Sequence, residues 1–444
     1  MTASAPSVPH ARSAPLPPAG RRTHSVDRAF LSLERTHPQV RWDAGGVAYL
    51  SGPPPGLADL RAYVGLSLPR LPMFTARVDG APRHSTWRPD ADFTVERHVH
   101  EAVADGPGQW ESAMDTALNA PFPPGARWGI WLVHGHAPDA YAVCYRFQHA
   151  CQDGSAAALA FRTLLGAGEP SARPVPRPGR AALPRRAGLA LGLSAKFGFA
   201  ALGALGREPA ARFTPTGERR LWRGRVPLDV LRRIAAARGG SAHDAHLAAL
   251  AGALSSWSAR SGVPLPRVRA LMPVDARRED EEQTWGNRCF ALPVTLPVNP
   301  SPARPGASPA DADLPLRRLE RVRAATARLR REPWRQAVQD MVRFMPDRPT
   351  EWYMRGVFSP RVTDILATSM PLADEAALGE TRVTGTALLP LLLPGHLFGV
   401  GLSFFGTWAE VSFMTDGGLP LAARLPGLWE QAATELDEAA ARAA

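Results

Sequence analysis

Residues 141–165 read YAVCYRFQHACQDGSAAALAFRTLL, and a change of period inside this stretch decides how the chain is built. Tyr141, Val143, Tyr145, Phe147 and His149 share one side of a two-residue alternation, and Cys144, Arg146 and Gln148 share the other. That is the pattern of a strand. After Asp153-Gly154 the pattern becomes a small-residue helix with Ala157, Leu159 and Leu164 among its apolar positions. His149 therefore falls where a strand ends, and Asp153 where a helix is about to begin. Such a junction holds side chains at a defined spot on a rigid frame. An imidazole there, with an ordinary pKa of roughly 6.5, can take a proton from an alcohol, amine or thiol. Asp153 has two readings: it orients the imidazole, or it pairs with an arginine and braces the turn. Gly154 would let the backbone turn tightly without a Cβ clash. A satisfied, partly buried histidine without chemistry fits the spacing equally well.

Working outward, SVDRAFLSLE (25–34) places Val26, Ala29, Phe30 and Leu33 on one side of a short helix, with Ser25 as its N-cap. Gly46 to Leu50 reads as a strand and Leu57 to Leu68 as a helix. Proline clusters in ARPVPRPGR (172–180), and a helix is expected near Leu189 to Leu205 within a long crossover. Further on, Val226 to Leu231 resembles a strand running into a helix, His246 to Trp257 a helix, and Val268 to Pro273 a strand. Leu316 to Met345 makes one long charged helix or a broken pair. Leu397 to Phe405 and Ala409 to Phe413 read as antiparallel strands before a closing helix, Leu421 to Ala443. Helices and strands mix in both halves, so the fold class is α/β or α+β. The expected divisions are a flexible tail (1–22), a first subdomain (23–168), a basic crossover (169–220) and a second subdomain (221–444).

Composition sets bounds on function. At 444 residues and 45% apolar, the chain has material for one large core or two ordinary ones. Three cysteines, Cys144, Cys151 and Cys289, are too few for a disulfide scaffold and fit a reducing, cytoplasmic compartment. The N-terminus has no continuous apolar run after its charges, so no secretory signal is read. Lys196 interrupts the nearest spanning candidate, Ala187 to Gly206. The net charge of +11 is local: 12 of the 52 Lys and Arg fall between Arg173 and Arg225, against Glu208 and Glu218. Phosphate-bearing ligands or an anionic lipid surface suit such a segment, as does a plain solvated linker. Nucleic acid is not read, because no recognition motif is present and Arg does not alternate with aromatics. His134, His136, Cys144 and His149 are too loosely spaced to be read as a metal site.

QHACQDG (148–154) resembles the HHxxxDG signature of the bacterial wax ester synthase/diacylglycerol acyltransferases, kin of condensation domains and chloramphenicol acetyltransferase-like enzymes. The likeness extends in order through SVDRAFLSLE, FTVERHVH (93–100), PLDVLRRIAAARGGSAHDAHLAALAGAL (227–254), MPVDAR (272–277) and WGNR (285–288). Three departures are visible. Gln148 stands where the first signature histidine would be, His243-Asp244 replaces an Asn-Asp pair, and TSMPLAD (368–374) replaces an NVPGP-like segment.

The resemblance implies two chloramphenicol acetyltransferase-like subdomains side by side around a central tunnel. It also implies direct transfer of a fatty acyl group from acyl-CoA, a co-substrate rather than a cofactor, to a long-chain alcohol or diacylglycerol. His149 would be the general base, Asp153 the bracing aspartate with Arg277 as its structural partner, and Gly154 part of the motif. Asn287 is the candidate oxyanion donor, and Gln148 a candidate contact to the acceptor. Peripheral contact with the inner face of a membrane or with a lipid droplet follows from an apolar acyl chain. Two alternatives stay open: a condensation enzyme fed by an acyl carrier protein, and a degenerate lipid-binding or interaction module.

Overall fold

The computed structural model describes residues 22–167, 207–210, 213–265, 267–277, 285–298, 314–327 and 332–443, with Gly188 and Gly192. The expected tail, the helix near Leu189 to Leu205 and most of the basic crossover lie outside the described residues.

The first half runs α1 (Ser25–Thr36), β1 (Asp43–Ser51), α2 (Leu57–Ser67), the hairpin β2 (Ala76–Asp79) and β3 (Thr86–Pro89), then β4 (Val99–Val103) and α3 (Trp110–Asn119). The hairpin β5 (Trp128–Ala137) and β6 (Ala140–Gln148) follows, and then α4 (Gly154–Leu164). The second half runs β7 (Arg219–Pro227), α5 (Leu228–Ala236), α6 (Ala242–Ser261), β8 (Val268–Asp275), β9 (Cys289–Leu296), α7 (Leu314–Ala327), α8 (Glu332–Phe344) and α9 (Asp347–Val357). It closes with β10 (Ile365–Ala373), β11 (Ala377–Leu378), β12 (Thr381–Leu389), β13 (Phe398–Phe405), β14 (Trp408–Asp416) and α10 (Leu425–Arg442). The charged stretch from Leu316 is thus divided between α7 and α8. The first helix is capped by His24 rather than Ser25: Asp27 reaches back to the His24 backbone and completes a capping box.

Two six-stranded sheets form, in the orders β11-β12-β1-β6-β5-β4 and β7-β14-β13-β10-β8-β9. Alternation along β6 works as read. Tyr141, Val143, Tyr145 and Phe147 pack with Leu60, Val64 and Phe161 beneath α2 and α4. Ala142 and Cys144 join Met114 and Ala117 of α3 on the opposite face. Arg146 shares that second face although it is fully buried. Its guanidinium meets Asp43, which also holds Arg219, and donates to the Ala117 and Ala120 carbonyls where α3 ends. A cation at a helix C-terminus is favoured by the aligned peptide dipoles. In the second half the Ala/Leu run of α6 is buried on nearly all sides, as a helix without a polar face must be.

The halves are joined by a strand that changes sheets. β12 comes late in the chain yet pairs antiparallel with β1 in the first sheet. Strand β14 of the second sheet also contacts it through side chains. Glu410 on β14 accepts hydrogen bonds from the Thr386 N–H (2.5 Å) and hydroxyl (2.8 Å), and Ser412 donates to the Leu388 carbonyl at 2.6 Å. At Gly385 a Cβ would lie 2.7 Å from Glu410 Oε1, so the glycine gives that carboxylate its room.

Candidate active site

The end of β6 is fastened at each step. His149 N–H donates to the Trp42 carbonyl at 2.8 Å, and Cys151 N–H donates to Gln148 at 2.9 Å, forming a turn. Gln152 then bridges to Gly286, bringing residues 286–288 against the turn. Asp153 caps α4, its Oδ1 accepting from Ala156 N–H at 3.0 Å. Its Oδ2 accepts from Arg277 Nη1 and from Arg288 N–H, both at 2.7 Å. Arg277 also donates to the Gly286 carbonyl at 2.9 Å and meets Asp275 at 3.2 Å. Burial alone would raise the Asp153 pKa, but the Arg277 guanidinium and the N–H donors hold it below the usual value. Of the two readings of Asp153, the geometry is that of the brace.

The His149 ring is half-buried and stacked on Phe30, with centroids 4.2 Å apart and planes at 25°. Its Nδ1 lies 3.1 Å from Asn287 Oδ1. Asn287 Nδ2 donates to the His149 carbonyl at 2.7 Å and to Asp27 Oδ1 at 2.9 Å. With both amide hydrogens engaged, the oxygen must face the ring. The hydrogen therefore sits on Nδ1, a tautomer assigned from these bonds, and Nε2 keeps a free lone pair. Desolvation pushes the imidazole below its ordinary pKa, against the pull of the Asp153 carboxylate, so it stands neutral at pH 7.

Two cavities meet at this ring. One, of about 160 Å³, is lined by Gly45, Gly46, Asp153, Ser155, Thr368, Ser369 and Met370 among others. The other, of about 60 Å³, is almost wholly apolar, with Val26, Phe30, Phe290, Tyr353, Val357 and Phe358 in its wall. His149, Pro273, Cys289, Leu366 and Leu391 line both.

Three sequence expectations change. Asn287, expected to donate to an oxyanion, has no amide hydrogen left for that purpose and instead holds the imidazole. Gln148 lines neither cavity. With its amide oriented to suit its neighbours, it donates to Glu34 Oε1 and the Trp42 carbonyl, both at 3.2 Å. Gly154 is the first residue of α4 and has no positive φ; a Cβ there would meet the Met370 Cε at 2.6 Å, so its smallness serves the cavity rather than the turn. Other parts of the resemblance land apart from the chemistry. Asp244 caps α6 with Ser241, and neither it nor His243 lines either of these two cavities. TSMPLAD, in contrast, lies mostly on β10, and its Thr368, Ser369, Met370 and Leu372 line the larger cavity.

The family model for the wax ester synthase/diacylglycerol acyltransferase catalytic domain matches residues 24–205. A Mycobacterium tuberculosis protein named as a diacylglycerol O-acyltransferase is 25% identical over 385 residues, covering 76% of this chain and 74% of that one. The solved wax ester synthase/diacylglycerol acyltransferase of Marinobacter aquaeolei VT8 superposes with a TM-score of 0.62 at 16% identity, over 95% of this chain and 100% of that one. Residues 24–205 are thus similar to the catalytic domain of the wax ester synthase/diacylglycerol acyltransferases. The starter condensation domain of rhizomide synthetase, a mutant form solved with C8-CoA, gives a TM-score of 0.56 at 15% identity, over 95% of each chain. The architecture is therefore the mixed α/β fold of condensation-domain and chloramphenicol acetyltransferase-like structures.

Sequence reading missed Asp27, Phe30 and Cys289 as site residues. Asp27 carried a signal: it shares its helix face with Phe30 and Leu31, at the i+3 and i+4 positions, and a carboxylate in an apolar stripe needs buried partners. Among the described residues there is no cluster of His, Cys, Asp or Glu suited to a metal ion. Burial raises the Cys144 and Cys151 thiols to about 12, which leaves them as protonated packing residues.

Proposed function

We propose that this protein transfers a fatty acyl group from acyl-CoA to a hydroxyl-bearing lipid acceptor, with His149 as general base. The observation that carries this is the imidazole at the junction of two cavities, neutral and with Nε2 free. A thioester is already activated, so no enzyme nucleophile is required. Nε2 takes the proton from the acceptor hydroxyl as its oxygen bonds to the thioester carbon. The tetrahedral intermediate then collapses, the carbon–sulfur bond breaks, and Nε2–H protonates the leaving thiolate. Positioned proton transfer of this kind is worth about 10²–10⁴-fold. Thr368 and Ser369, in the wall of the larger cavity, are the candidates for a neutral donor to an oxyanion. The Asp153–Arg277 pair keeps the turn in place and exchanges no proton.

The apolar cavity suits a hydrocarbon chain. Beside its lining residues Met345 and Tyr353 stand Phe344 and Trp352, exposed at 70% and 56%. The exposed charged residues between 334 and 355 are Arg335, Arg343, Arg348 and Arg355. Exposed aromatic and cationic side chains on the same helices that wall the apolar cavity favour contact with an anionic lipid surface, from which a lipid substrate would be drawn. Among the described residues no helix is long and apolar enough to cross a membrane.

A second reading, transfer from an acyl carrier protein, is favoured by the condensation-domain likeness. Purified protein incubated with palmitoyl-CoA and long-chain alcohols, diacylglycerol or amines tests both, with free thiol and product followed together. Ester from the wild type but not from His149→Ala supports the proposal. Turnover only from a loaded carrier moves it to condensation, and none from either donor leaves a binding module.

A further inference from the structure

Asp27 belongs to the opening helix and lies far in sequence from the turn that carries His149. Its carboxylate is buried, with the side chain fully engaged. Oδ2 accepts the His24 N–H at 2.8 Å, and Oδ1 accepts both the Asn287 N–H at 2.8 Å and Asn287 Nδ2 at 2.9 Å. Gly286, the preceding residue, has φ +83°, and a Cβ there would lie 3.3 Å from Asp27 Oδ2. Glycine therefore serves both the backbone conformation and the close approach of the carboxylate.

We infer that Asp27 is a positioning residue which, through Asn287, decides which nitrogen of His149 is the base. The argument turns on the direction of one amide. As it stands, the Asn287 NH₂ faces two oxygens, Asp27 Oδ1 and the His149 carbonyl, while its oxygen faces Nδ1. Rotating the amide by half a turn would set Asn287 Oδ1 against both of those oxygens and turn the NH₂ toward the ring. Nδ1 would then have to accept, the hydrogen would move to Nε2, and the lone pair would point away from the acceptor. A carboxylate, which can only accept, forbids that rotation. A neutral amide in its place supplies a donor and removes one of the two oxygen–oxygen contacts. The His149 carbonyl alone is then left to hold the orientation, and it belongs to the residue being oriented.

This inference rests on His149 being the base, but its first readout does not depend on transferase activity. Protein labelled with ¹⁵N in histidine is compared as wild type, Asp27→Asn and His149→Gln, the last serving to assign the resonance. In the wild type, Nδ1 should carry the proton and Nε2 should show the shift of an unprotonated ring nitrogen. In Asp27→Asn the proton should pass in part or in full to Nε2. The kcat should fall toward the about 10²–10⁴-fold worth of positioned proton transfer, with KM little changed. A merely structural role would lower the thermal midpoint without moving the tautomer. A folded Asp27→Asn protein that keeps the wild-type tautomer overturns the inference, and so does a wild-type ring protonated on Nε2. If Asp27→Asn does not fold, the wild-type spectrum decides alone. A tautomer shift in a protein that turns over no acyl donor would uphold the relay while removing the transferase reading.

Discussion

Replacing Asp153 by alanine distinguishes a brace from a group that acts on the imidazole. Its Oδ2 lies 2.7 Å from Arg277 Nη1, and the two side chains are 2% and 3% exposed. Removing one partner of such a buried pair costs about 3–5 kcal/mol, because the other charge is left without compensation. Asp275 lies 3.2 Å from the same nitrogen but is 46% exposed, so it offsets only part of that loss. Alanine also removes the cap of α4, at about 1 kcal/mol. The expected destabilisation is therefore about 4–6 kcal/mol, a large share of the ~5–15 kcal/mol that holds a typical domain. Urea unfolding followed by tryptophan fluorescence measures it. Asp153→Asn keeps an oxygen to accept from the N–H groups and should lose less. In the pair Asp153→Ala with Arg277→Met, the double variant should be no less stable than Asp153→Ala alone, since no unpaired cation remains. The Asp153 pKa is held below its unfolded value of about 3.9, so its contribution is complete above that pH and disappears only as pH falls through the lower folded value. A loss under about 1 kcal/mol for Asp153→Ala at pH 7 would refute the brace and return Asp153 to the imidazole.

Acid should weaken the fold through His396, which is 3% exposed and whose pKa is lowered by burial to about 4. Below about pH 6.5 the unfolded chain takes a proton that the folded chain refuses, so stability falls by about 1.4 kcal/mol per pH unit, about 3 kcal/mol by pH 4. In His396→Gln the urea midpoint should vary less over that range. At Gly45 a Cβ would sit 1.9 Å from the Tyr145 carbonyl oxygen, part of the β1–β6 ladder, so Gly45→Ala should abolish soluble folded protein. Gly154→Ala meets only the flexible end of Met370 and should remain folded by circular dichroism, with stability changed by less than about 1 kcal/mol. Flotation with phosphatidylglycerol-containing vesicles should bring the protein up with the lipid. Replacing Arg343 or Arg348 by glutamine should weaken that binding by about 1 kcal/mol each, roughly fivefold. Equal flotation with neutral vesicles would remove the electrostatic part of the argument.

How much of this was legible in the chain follows from the range of each signal. Residues 141–165 disclose their strand and helix because alternation and small-residue spacing are local, and the position of His149 between them follows without tertiary information. Charge alone says only that Asp153 could pair with an arginine; the choice of Arg277 comes from the resemblance, because no local period connects the two. β12 was not legible. It reads TRVTGTALL, and nothing in that run says whether it pairs with a neighbour in sequence or, as it does, with β1 in the other sheet. Its assignment depends on Glu410 and Ser412 approaching from β14, a three-body arrangement with no sequence period. Asn287 shows a different limit. Its type suggested an amide near charge, but whether it would donate to an oxyanion or accept from a ring depends on the direction of one side chain. That direction is imposed by Asp27, 260 positions away. An acceptor-only group on one side compels a donor on the other, and the constraint passes through the amide to the imidazole. The charge of a residue in the first turn of the opening helix therefore bears on which nitrogen of His149 is free to take a proton.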